Sequence, residues 1–149
     1  MNKKRFLVLS GFILVAALSR MIAMFISDLL VNNILYLGFY GGFTLFTPGF
    51  YWMYGAIALI VVAGLLIMKK VNTSRIIAGS LSASVIFFLI TNFGVWLGSP
   101  IYPQGLEGLF MSYAAGIPFF HYTVLGDLFY SGVMFGAFEY VKSQKPVFQ

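Results

Sequence analysis

Cysteine is absent from the 149 residues, histidine occurs once, and Asp and Glu together number four. The first absence excludes disulfide frameworks, thiolate zinc sites and cysteine nucleophiles together. With His121 alone beside so few acids, a His-rich metal cluster is excluded too, and neither a metal nor a cofactor is expected. Charge of either sign is scarce, at 9% of residues where a soluble domain carries about 25%. What is abundant is apolar: 60% of residues are hydrophobic and the mean hydropathy is +0.94. A water-exposed globule of that composition would lack polar surface. The expected class is all-α, a polytopic transmembrane helix bundle forming one integral membrane domain over residues 1–149.

Nine Lys and Arg against four acids would suit a nucleic-acid partner, but their positions argue otherwise. Lys3, Lys4 and Arg5 precede the first apolar run, Lys69, Lys70 and Arg75 lie between two others, and Lys142 and Lys145 follow the last. Only Arg20 falls inside an apolar stretch. Cations that bracket hydrophobic runs follow the positive-inside pattern and form no phosphate-tracking stripe. The partner implied is a lipid bilayer, not nucleic acid.

Crossing a hydrocarbon core of about 30 Å takes roughly 20 helical residues, and four segments qualify. They cover residues 6–30, 51–68, 76–97 and 122–141. With the N-terminus in the cytoplasm, the loop holding Lys69 and Arg75 is cytoplasmic, and so is the C-terminal tail. The outward loops, residues 31–50 and 98–121, then contain no Lys or Arg and one acid, Glu107. That asymmetry predicts both termini inside a multi-pass protein of the cytoplasmic membrane. The N-terminal 21 residues also have the layout of a signal peptide, but more apolar segments follow, so an uncleaved first helix is expected. The second outward loop carries three prolines and an apolar stretch, residues 109–120, too short to cross. It reads as a short interfacial or re-entrant helix over the outer mouth of the bundle.

Small residues recur at helical spacing: Gly132 with Gly136 in the fourth span, and Gly79 with Ala83 and Ser80 with Ser84 in the third. Lipid gives helices no hydrophobic drive to associate, so close approach at small residues supplies dispersion contacts. Such pairs serve packing within the chain or docking onto a partner's helices. Arg20, Asp28 and Asp127 are ionisable and expected inside the membrane, where each costs roughly 2.5–3.5 kcal/mol on insertion scales. Arg20 and Asp28 stand about 80° and 12 Å apart on a helix, so they are poor partners for each other. A buried pair of Arg20 with Asp127 or Asp28 is one reading, with Asp127 five residues into its span at the outer end. Asn92 and Trp96 are i and i+4, and with Thr91 they form a polar and aromatic patch near the outer leaflet. That patch suits a small, flat, polar ligand, or equally serves as interhelical glue with an aromatic belt. Glu139, beside Lys142, is expected to snorkel at the inner surface.

Neither a Walker A, a GxGxxG, an HExxH nor a GxSxG pattern occurs, so the chain has no nucleotide site and no recognisable catalytic motif. Asp28 and Asp127 are the only acid pair inside the apolar segments, and no enzyme is expected.

From Thr91 to Tyr140 the sequence carries TNFGVW, the Tyr102-Pro103 pair, YAAGIPFF (residues 113–120) and GDL with Tyr130. Together with AALSR (residues 16–20) and MFISDLL (residues 24–30), these resemble an uncharacterised family of bacterial membrane transport proteins. That family looks related to the S components of energy-coupling-factor vitamin transporters. It departs from the family in one place: Arg20 runs directly into Met21, where members carry further residues with a Pro-Asn-Phe and a Gly-Gly-aromatic stretch. That stretch would add two crossings and give the six helices of an S component; without it about four are expected.

The resemblance implies a substrate-binding membrane subunit that captures a small molecule at the outer face and relies on a partner module with ATPase activity. Thr91, Asn92, Trp96, Tyr102 and Asp127 are the expected ligand contacts, in a cavity beneath the outward loops. Small residues of the third and fourth spans would dock a membrane coupling subunit. The alternative is an accessory or structural membrane protein with no small-molecule ligand, whose polar residues all satisfy one another.

Overall fold

The computed structural model describes residues 3–35, 37–67 and 72–144, and every regular element among these is helical. Lys69, Lys70 and Lys145, on which part of the expected charge pattern falls, lie outside them. Helix α1 (Lys3–Leu30) continues into a single π-helical turn, Val31–Leu35. A short α2 (Leu37–Tyr40) follows, then α3 (Phe50–Ile67), α4 (Thr73–Gly98) and α5 (Leu106–Gln144). Two segments, Ala17–Leu35 and Thr73–Gly98, are long and apolar enough to cross a membrane, and Phe50–Leu65 is a shorter apolar helix.

Local chemistry explains the boundaries. Asn72 caps α4, its side-chain oxygen accepting from the Arg75 N–H at 2.8 Å. At the other end the Ser99 N–H returns to Val95 O at 2.9 Å, and Pro100 stops the helix. Gly105, at φ +127°, takes a turn that a side chain would strain before α5 begins. Between α1 and α3, Asn33 Nδ2 donates to Thr44 O and Thr44 N donates to Asn33 Oδ1, both at 2.7 Å. These paired bonds pin the Gly-rich connection onto the π turn.

The segment expected as the second outward loop differs from expectation. Residues 109–120 form no separate interfacial or re-entrant helix; they are the first part of α5, which runs unbroken for 39 residues through Pro118. A proline inside a helix removes one i→i−4 bond and crowds the carbonyl before it, but the rest of the ladder can carry the helix across. The real break is at residues 99–105, where Pro100, Pro103 and Gly105 cluster.

The distribution of polarity is inverted relative to a water-soluble protein. Among the described residues the buried polar side chains are Asn32, Ser80, Ser84, Ser112 and Asp127, and the buried hydrophobics are only Ala56 and Ile57. Large apolar side chains face outward instead, Ile22 at 59% exposure and Phe129 at 74% among them. Apolar surface on that scale marks a face made for a non-aqueous contact.

Polar groups and rings mark the α4–α5 seam. Ser112 Oγ donates to Asn92 O at 2.7 Å, Tyr113 OH donates to Leu89 O at 3.0 Å, and the Phe88 and Phe120 rings lie 5.0 Å apart. Further along, Ser84 meets Asp127. From the Asn92–Ser112 contact to the Ser84–Asp127 contact the chain advances eight residues on α4 and fifteen on α5. At 1.5 Å per residue those steps are about 12 Å and 22 Å, so the contacts are spaced unequally along the two helices.

The connection is fixed by close backbone approach at Gly108, where a Cβ would overlap the Pro103 carbonyl. Backbone cannot swing aside as a side chain can. Gly108→Ala is therefore expected to cost about 2 kcal/mol, in the range of overpacked sites. Thermal unfolding followed by circular dichroism in detergent checks this, and an unchanged midpoint would contradict it.

Candidate ligand cavity

Four helices line a partly open cavity. The cavity, of about 440 Å³, lies between α1, α3, α4 and α5. Its walls are mostly apolar, with Ile57, Ile60 and Val61 from α3, Ile86 and Phe87 from α4, and Met134 from α5. Small residues make the room: Ala17, Gly64, Ala78, Gly79 and Ala83 all line it. The volume falls in the range of small-molecule pockets, about 300–1,000 Å³.

One wall is polar and built from a relay of contacts. Arg20 Nη1 on α1 donates to Asp127 Oδ1 on α5 in an ion pair. Ser84 Oγ donates to the other carboxylate oxygen, Oδ2, at 2.7 Å. The same hydroxyl lies 3.1 Å from Ser80 O, but with one hydrogen to give, the shorter charge-assisted contact holds it. One turn beyond Asp127, Tyr130 OH shares a hydrogen bond with Ser19 Oγ, next to Arg20. Two adjacent residues of α1 thus grip two residues of α5 through polar contacts. Asp127 is 3% exposed, whereas the Arg20 side chain keeps 38%, so the anion is buried and the cation only half so.

Beside this relay is an unsatisfied group. Ser80 lines the cavity at 4% exposure, and its hydroxyl has no hydrogen-bond partner. A buried polar group left without a partner costs about 1–3 kcal/mol. Arg75, near the N-terminus of α4, also lines the cavity and stays exposed.

The residues singled out in the sequence scatter. Asp127 lines the cavity, but it is 21 residues into α5 and level with Ser84 near the middle of α4, not at an outer helix end. Thr91 Oγ1 and Asn92 Nδ2 donate to carbonyls of their own helix, Phe87 O and Phe88 O, each at 2.8 Å. Trp96 Nε1 donates to Pro103 O at 3.2 Å, holding the connection in which Tyr102 sits half-buried. None of these four lines the cavity, whose lining on α4 runs from Arg75 to Phe87, the N-terminal part of that helix. Asp28 stays outside the Arg20 pair, two turns further along α1. Gly79 lines the cavity, whereas Gly132 and Gly136 are exposed, and among the described residues nothing beyond their own helix lies within 4 Å of where a Cβ would be.

What sequence reasoning missed were the hydroxyls. Ser80 and Ser84 were legible as a small pair one turn apart, but as oxygens they turn the same helix face into a donor row. The signal was two serines at i and i+4 in a run otherwise nearly free of polar groups. Among the described residues no three His, Cys, Asp or Glu side chains gather where an ion could sit. His121 stacks on Tyr122, ring centroids 3.9 Å apart, and Glu139 pairs with Lys142 at the C-terminal end of α5.

No curated protein and no solved structure matches the sequence. A family described as a family of unknown function (DUF6580) does, over residues 15–148, which takes in all the cavity residues named above. The chain belongs to that family.

Proposed function

We propose that this chain is a multi-pass protein of the bacterial cytoplasmic membrane, both termini inside, that binds a small molecule within its helix bundle for transport. In this reading it is similar to a substrate-binding S component and depends on a separate ATPase module, since it has no nucleotide motif of its own. The observation that carries the reading is the roughly 440 Å³ cavity in a protein whose buried side chains are polar and whose apolar ones face outward. A purely structural bundle would close its polar groups on one another; here the Ser80 hydroxyl is left over at the cavity wall.

The cavity's position shifts the expected ligand contacts from Asn92 and Trp96 to Arg20, Ser80 and Asp127. Gly132 and Gly136, exposed on α5 with no other described helix close to them, offer the surface for a coupling subunit.

The reading is tested by extracting bound small molecules from the protein purified in lipid nanodiscs and identifying them by mass spectrometry. Wild type should retain a molecule that Ala83→Phe, which fills the cavity, loses by tenfold or more while keeping its helical signal. Equal recovery from both proteins, or none from either, would defeat the proposal.

A further inference from the structure

The cavity's chemistry specifies what it would take, if the preceding reading of it as a binding site holds. Its polar wall offers donors far more than acceptors. Each oxygen of the Asp127 carboxylate already receives a donor, one from Arg20 and one from Ser84. A guanidinium has five N–H groups, and the Asp127 bond occupies one of those on Arg20. Ser80 lines the same space, and its buried hydroxyl has no hydrogen-bond partner. Arg75 adds a second guanidinium, and among the described residues no acidic side chain forms a salt bridge with it.

Formal charge points the same way. Arg20 and Arg75 carry two positive charges on the described lining and Asp127 carries one negative, leaving one positive charge unmatched. The remaining walls are hydrocarbon, from Ile57, Ile60, Ile86 and Met134. A cation beside apolar walls is stabilised by an anion that brings its own apolar surface.

We infer that the cavity binds an amphipathic monoanion: one oxyanion group held by Arg75 and the Ser80 hydroxyl, on an apolar body that fills the space between α3 and α4. A free carboxylic acid and the headgroup end of an anionic lipid share this chemistry.

Binding of radiolabelled octanoate, octanol and octylamine to the protein in phosphatidylcholine nanodiscs, with empty nanodiscs subtracted, tests the inference. Octanoate should bind at least tenfold more tightly than either of the others. Arg75→Gln should remove about tenfold of the octanoate affinity and leave octanol unchanged, Arg75→Lys should restore most of it, and Ser80→Ala should weaken octanoate by a few-fold. Displacement of octanoate by phosphatidylglycerol would identify a lipid as the source of the oxyanion, and resistance to displacement a free acid. Equal binding of octanoate and octanol, or octanoate affinity untouched by Arg75→Gln, would overturn the charge assignment while leaving a working cavity. Binding of none of the three would overturn this inference, and the mass-spectrometric comparison with Ala83→Phe then decides separately whether the cavity binds anything at all.

Discussion

Asp127→Ala should lower the stability of the bundle by about 3 kcal/mol, at the low end of the range for breaking a buried ion pair from one side. The loss has two parts. Arg20 is left facing an apolar cavity without its counter-charge, and Ser84 loses its charged acceptor. The side-chain exposure of Arg20, 38%, keeps the figure from reaching the top of the range, because water can reach part of the guanidinium. A paired replacement should behave differently. Arg20→Leu combined with Asp127→Leu removes both charges, and apolar substitutes for buried pairs are often neutral or stabilising. Unfolding in detergent, read by circular dichroism, should therefore place the double variant within about 1 kcal/mol of wild type and the single one well below. If Asp127→Ala unfolds with the wild-type midpoint, the ion pair does not hold α1 to α5.

Gly94→Val is the second large effect expected, about 3 kcal/mol, the upper part of the overpacking range. A Cβ at this buried position would overlap three atoms of the Trp52 indole, so α3 and α4 touch there with no room for a side chain. Trp52 cannot turn away freely, since its ring meets Phe93 edge-on at 5.5 Å and lies 5.6 Å from Tyr51. Trp52→Ala should partly rescue Gly94→Val by opening the missing space, a coupling visible in a double-mutant cycle. Gly132→Val is the matching control, because among the described residues nothing beyond its own helix lies within 4 Å of that site. Its stability should stay within about 0.5 kcal/mol of wild type, as for an ordinary surface change.

The two glycines also show where sequence pattern stops being informative. Gly132 and Gly94 each sit in a GxxxG, with Gly136 and Gly98 respectively, yet among the described residues only Gly94 of the two meets a second helix closely. Spacing along one helix identifies a face that could pack; it does not say whether a second helix lies opposite. The helices themselves were legible, because runs such as residues 51–68 and 76–97 are too apolar and too long for anything else, and α3 and α4 begin and end within three residues of them. The place of Asp127 along its helix differs from the expected one for a related reason. Counting from an assumed helix start at residue 122 put it near an end, and Pro118 invited that start. The chain keeps its helical ladder through the proline, so the true start is 16 residues earlier, at Leu106. Whether a proline ends a helix depends on the packing either side of it, and here Ser112, Tyr113 and Phe120 all anchor the flanking turns to α4. That information is tertiary and absent from local sequence.

Helix α5 is about 58 Å from end to end at 1.5 Å per residue. One rod thus carries both the grip on the C-terminal end of α4 and the wall holding Asp127. Tilting its first turns would sweep Asp127, Tyr130 and Met134 sideways, in the manner of an oar on its rowlock, with the Phe88–Phe120 contact as fulcrum. Bending at Pro118, where the ladder is already one bond short, would instead take up the stroke before it reached Asp127.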